Sequence, residues 1–183
     1  MALTVDLLRR AFARMGAILA DEGRVVELAV YGGSAIMLQF DWRAATEDVD
    51  AVVREGYDER AIAPVVATVA AEFGLEADWL NDAVGMFTPL VERDGLFEVS
   101  GEYPVGSEPG LRVLVATPSY LLAMKLMALA NPGRGTKDMD DARRLAAEVG
   151  IVDEAALLDL YRSVHDEPPA PFAHARFPGV VGR

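Results

Sequence analysis

The chain has no cysteine, which excludes disulfides, thiolate metal sites and a cysteine nucleophile. Histidine is nearly as scarce: His165 and His174 are the only two, and neither has a partner pattern that would give it a catalytic role. Lysine is rare beside arginine. Of 17 basic residues only Lys125 and Lys137 are lysines, and in so arginine-rich a chain a retained lysine hints at a place that needs a compact ammonium. Long apolar runs are missing too. No uncharged stretch reaches the roughly 18 residues of a membrane span, and Asp6, Arg9, Arg10 and Arg14 interrupt the segment where a signal-peptide core would lie. A cytoplasmic protein is the simplest expectation.

Positive charge is also short, with 17 basic against 29 acidic residues and a net charge of −12. Such a surface repels a polyanion at long range, which argues against a general nucleic-acid binder. A local patch from Arg112, Arg134, Arg143 and Arg144 remains a way to receive one RNA end. The motifs of common nucleotide enzymes are absent as well. There is no P-loop, no dinucleotide fingerprint, no nucleophile elbow and no internal repeat.

At 183 residues and 52% hydrophobic content, the chain suffices for one domain, or one domain with a helical appendage, and for a real core. Its most informative stretch runs from Tyr31 to Val53. The apolar run Val25–Val30 reads as a strand, Gly32 and Gly33 turn the chain, and Ser34–Gln39 reads as a short helix. A glycine turn lets a ligand approach the backbone, and a helix start offers N–H groups with partial positive charge; Ser34 adds a hydroxyl donor. Taken alone, this is equally a tight strand–helix turn with Ser34 as a cap.

The next strand changes the weight. Asp48-Val49-Asp50 leads into Ala51-Val52-Val53, and strand alternation points both carboxylates one way while Val49 and Ala51 point into protein. Two adjacent carboxylates repel unless a cation lies between them, and hard oxygen ligands favour magnesium. Arg43 and Thr46, between helix and acids, read as residues that orient the strand or touch a phosphate, and equally as loop filler.

Further helices are expected at residues 5–20 (capped by Thr4), 57–73, from Asp78 within 77–87, 119–131 (after Thr117-Pro118), 137–150 (capped by Thr136) and 152–165. Pro64 must lie in a first turn or mark a kink. Two more strands are expected at 96–100 and 111–116. Asn81 and Asp82 read as capping or surface residues, with a cleft-facing position as the alternative, and Glu98 and Glu102 as surface acids or an additional metal ligand. Lys125, inside the most apolar helix, must snorkel to water or meet anions. Asp138 and Asp141 share a helix face and Asp140 points elsewhere. The expected fold is α+β: a small mixed sheet with flanking helices over residues 1–117, a helical group at 118–166 closing one side of a cleft, and an irregular tail at 167–183.

A glycine-serine turn followed by Asp-x-Asp on the next strand, here Gly33, Ser34, Asp48 and Asp50, resembles the nucleotidyltransferase superfamily with the DNA polymerase β-like fold. Lys125-Leu126-Met127-Ala128, Arg134, Lys137-Asp138 and Asp141 are similar to the later motifs of AbiEii-type nucleotidyltransferases, toxin components of bacterial toxin–antitoxin systems. The likeness covers most of residues 28–146. It implies that Gly32, Gly33, Ser34 and Arg43 contact the triphosphate, that Asp48 and Asp50 bind Mg2+, that Lys125 and Asp138 support the nucleotide, and that Asp141 joins the catalytic set. The superfamily often carries a third carboxylate on a later strand. Residues 111–116 have none, so Asp141 or Glu98 would stand in. Expected partners are a nucleoside triphosphate, an acceptor that is either tRNA or a small molecule, and an antitoxin protein. A non-catalytic scaffold with the same fold is the competing class.

Overall fold

The structure is a computed structural model that describes residues 2–54, 57, 59–88, 93–131 and 136–182, with backbone only at 59, 61 and 86. It divides into two compact units. One comprises the residues up to Met86 with Phe97–Ala116; the other comprises Phe87–Leu96 and the chain from Thr117 onward. The architecture is α+β. Among the described residues no helix is long and apolar enough to cross a membrane.

The first unit begins with β1 (Leu3–Thr4) and α1 (Val5–Asp21), whose first turn is capped by the Thr4 hydroxyl accepting from Leu7 N. The chain continues through β2 (Val26–Val30), α2 (Gly32–Gln39), β3 (Ala45–Thr46), β4 (Val49–Val53), α3 (Glu59–Phe73), β5 (Leu80–Asn81), a 3-10 turn (Ala83–Phe87), β6 (Phe97–Tyr103) and β7 (Leu111–Ala116). The main sheet has order β5-β4-β2-β7-β6, while β1 and β3 pair separately. The sheet is mixed: β2–β7 and β4–β5 are parallel, β2–β4 and β6–β7 antiparallel. Alternation along the strands buries Val26, Leu28, Val30, Val49, Ala51, Leu111, Val113 and Val115. Each fully buried Val or Leu contributes about 1.5–3 kcal/mol relative to exposure. Helix α1 runs against β6 and β7, and Gly16 permits the approach; a Cβ there would lie 2.4 Å from the Tyr103 carbonyl oxygen.

The first-turn placement of Pro64 is excluded in this unit, and one further expectation fails. Pro64 lies inside α3, five residues after its first, where its ring removes the hydrogen bond to the carbonyl of Arg60; buried Val65, Val66, Val69 and Ala70 hold the helix in place regardless. The helix expected near Asp78 is instead a turn, the short strand β5 and a 3-10 turn. Pairing decides this. Val49 N donates to Trp79 O at 2.7 Å, and Leu80 and Asn81 then align with Val49 and Asp50. Trp79 is core, as expected, with its indole N–H donating to Val66 O at 3.2 Å.

The second unit is helical: α4 (Pro118–Ala128), α5 (Lys137–Glu148), α6 (Glu154–Val164), α7 (Pro171–His174) and α8 (Pro178–Val181). Thr117 caps α4 by accepting from Tyr120 N, and Asp153 caps α6 by accepting from Ala156 N. Thr136 precedes α5 but its side chain makes no capping hydrogen bond, because its backbone is already helical. Helix α4 is buried at Tyr120, Leu121, Leu122, Ala123, Lys125 and Leu126 and packs against α5, α6 and α7. The tail expected as irregular carries α7 and α8 instead. Ala173, Phe177 and Val180 are buried there, and that apolar anchoring folds a proline-rich segment that lacks helical periodicity.

Candidate functional site

In the first unit, β2 delivers the chain into α2 through Gly32, whose φ of +59° is the left-handed conformation that favours glycine. Glycine is required for a second reason. A Cβ at Gly32 would stand 2.5 Å from Asp50 Oδ2, so the carboxylate rests directly against the start of the helix. Tyr31 N donates to Asp50 O at 2.8 Å and ties strand to turn. Gly33 is crowded as well: a Cβ there would meet an Arg43 guanidinium nitrogen at 2.8 Å and the Thr46 hydroxyl at 3.0 Å. Arg43 Nε also donates to Ala45 O at 3.3 Å, which orients the guanidinium over the turn. A helix start of this kind leaves backbone N–H groups with no carbonyl one turn earlier.

Period-two alternation places the acids as the sequence requires. Val49 and Ala51 are buried, Asp48 is exposed and Asp50 is half-buried. The structure therefore gathers Gly32, Gly33, Arg43 and Asp50 around one turn, with Asp48 two residues before Asp50. Ser34 behaves differently from a phosphate donor: it is 1% exposed and its hydroxyl donates to Tyr31 O at 2.9 Å, fastening the turn from within. Of the two acids considered on the hairpin, Glu98 is exposed on β6, and Glu102 is paired with Arg112 at 2.8 Å.

Sequence reasoning undervalued Asn81. Its Oδ1 accepts from Ala83 N at 3.1 Å and its Nδ2 donates to Asp48 Oδ2 at 3.4 Å. The signal that could have found it is weak: an Asn two residues after a buried Trp, on a segment that reads locally as a helix. Asn81 also lines a cavity of about 550 Å³ with Leu28, Ala51, Val53, Val66 and Leu80.

In the second unit, α4 and α5 bring Lys125, Asp138 and Asp141 together. Lys125 Nζ lies 2.6 Å from Asp138 Oδ1 and 2.9 Å from Asp141 Oδ2, and all three residues are less than a tenth exposed. The ammonium thus meets anions rather than snorkelling to water, and the anions are the protein's own. The i, i+3 spacing of the aspartates puts them on one face of α5, whereas Asp140 is exposed and pairs with Arg143 at 3.2 Å. His165 is packed against Tyr161, with ring centroids 4.4 Å apart, and lies 3.2 Å from Ala123 O; burial holds its pKa below the ordinary value.

Two of the four arginines of the expected basic patch are engaged by acids. Arg112 pairs with Glu102 and Glu27, and Arg143 with Asp140; Arg134 lies outside the described residues. No group of three or more metal-type ligands occurs among the described residues. The Asp48–Asp50 pair nonetheless suits magnesium, which commonly takes one or two protein carboxylates and completes its shell with water and substrate phosphate. No family model, no curated protein and no solved structure matches the chain.

Proposed function

We propose that the chain is a magnesium-dependent nucleotidyltransferase with a fold of the DNA polymerase β type, moving a nucleoside monophosphate from a nucleoside triphosphate to an acceptor hydroxyl. The observation that carries this reading is the contact between the Asp50 carboxylate and the glycine-opened start of α2. It sets acids suited to a cation beside backbone N–H groups and a guanidinium suited to phosphates. Asp48 and Asp50 would hold the magnesium. When bound, that ion neutralises charge on the transferring phosphoryl group and on the attacking oxygen. The N-terminal turn of α2 and Arg43 would hold the phosphates, so that the acceptor hydroxyl attacks the α-phosphorus and pyrophosphate leaves. These residues act by positioning and charge stabilisation.

Lys125, Asp138 and Asp141 enter this reading through their likeness to the AbiEii-type motifs, and with them come a toxin role and an antitoxin partner. One observation favours a small cationic acceptor over tRNA: the net charge is −12 and both Arg112 and Arg143 are engaged by acids. The test is transfer of label from each α-labelled nucleoside triphosphate, with magnesium, to total tRNA or to a panel of hydroxylated polyamines, alongside calorimetry with nucleotide and magnesium. Metal-dependent nucleotide binding with label on one acceptor class is expected. No metal-dependent binding of any nucleotide would leave the scaffold reading in place of the enzyme.

A further inference from the structure

Asp48 lies one residue before β4 and is exposed, so the sheet does not by itself fix its carboxylate. Among the described residues, Asn81 is a side chain that reaches it. An amide can present either its oxygen or its nitrogen, but here the choice is forced. Ala83 N–H can only donate, and it lies 3.1 Å from Oδ1; the NH2 group must therefore face Asp48, where Nδ2 lies 3.4 Å from Oδ2. The parallel register sets Asn81 beside Asp50 on the neighbouring strand. One amide thus joins a backbone cap, an exposed acid and the strand that carries its companion.

Resting on the nucleotidyltransferase reading, we propose that Asn81 is a positioning residue for the Asp48–Asp50 pair, holding Asp48 in a fixed orientation for the cation without adding a third negative charge. A neutral donor suits this task, because a carboxylate at the same place would oppose Asp48 whenever no cation is bound. Partners that orient metal-binding carboxylates commonly matter about 10–100-fold in metal affinity.

The test titrates Mn2+ into the full chain, reads free Mn2+ by electron paramagnetic resonance, and records melting with and without the ion. The wild-type chain should bind Mn2+ and Asp50→Asn should lose it. Asn81→Ala should weaken binding about tenfold or more. Asn81→Asp keeps an acceptor for Ala83 N–H, so it guards against loss of the turn; it should melt lower than wild type without metal and gain more in Tm from Mn2+. If the wild-type chain binds Mn2+ through Asp50 and both Asn81 variants match it in affinity and melting, the positioning role is overturned while the functional proposal stands. If Asp50→Asn removes no Mn2+ binding, both fall.

Discussion

Two pairs of aspartates, one on a face of α5 and one at the start of β4, have opposite surroundings. Asp138 and Asp141 are buried on α5 with the Lys125 ammonium within 2.9 Å of each. Asp48 and Asp50 flank Val49 on β4, with Asp48 exposed and hydrogen-bonded to a neutral amide. Burying an ion pair is costly unless geometry and partners are good, and in the first pair the Lys125 ammonium supplies a cation to both carboxylates. The second leaves an exposed carboxylate where solvent, or a cation, can reach it. The same residue type at similar spacing is therefore enclosed in one unit and within reach of solvent in the other, and the accessible surface makes the difference.

The largest effect should come from breaking the buried cluster. Lys125→Met leaves two buried carboxylates without their cation and should cost about 3–5 kcal/mol in a denaturant titration. Asp48→Asn, at the open pair, should stay within about 0.5 kcal/mol. Equal losses would erase the contrast.

Next comes activity. Asp50→Ala should lower label transfer on the order of 10²–10³-fold with little change in Tm; unimpaired transfer would remove Asp50 from the mechanism.

Two of the left-handed glycines of the first unit, Gly23 and Gly32, sharpen the comparison further. Gly23→Ala meets nothing within 4 Å and should cost only the backbone strain, about 1–2 kcal/mol. Gly32→Ala adds the 2.5 Å encounter with Asp50 Oδ2, so it should lose more stability and also Mn2+ binding. Identical behaviour of the two variants would mean that the Asp50 contact is inconsequential.

The smallest effect is a pH dependence from the buried side of the comparison. Burial lowers the folded pKa of His165 below its ordinary 6.5, so the unfolded chain takes up the proton first as pH falls. His165 therefore costs no stability above about pH 6.5, and its contribution declines as pH drops from there toward the folded value. His165→Gln should flatten that part of the stability profile; an unchanged slope would assign it to other groups.

Much of the fold was readable before the structure. The apolar periods placed most helices and strands, Thr4 and Thr117 announced their caps, and strand alternation put Asp48 and Asp50 outward with Val49 and Ala51 inward. The misreading that bears on the site has a long-range cause. Residues 77–87 carry helix-like apolar spacing, yet a hydrogen bond from Val49, some thirty positions earlier in the chain, turns part of them into a strand and so brings Asn81 to Asp48. Ser34 was legible as a turn residue, but not its burial against Tyr31 O.

The amino-acid order by itself determined most of the secondary elements and the shared face of the acids, because both follow from local backbone geometry that repeats every two or 3.6 residues. Only tertiary structure decided that Lys125 is enclosed by Asp138 and Asp141, that Arg112 is absorbed by Glu27 and Glu102, and that Asp50 rests on Gly32. Those outcomes depend on contacts between distant positions, and on how much water each charge keeps.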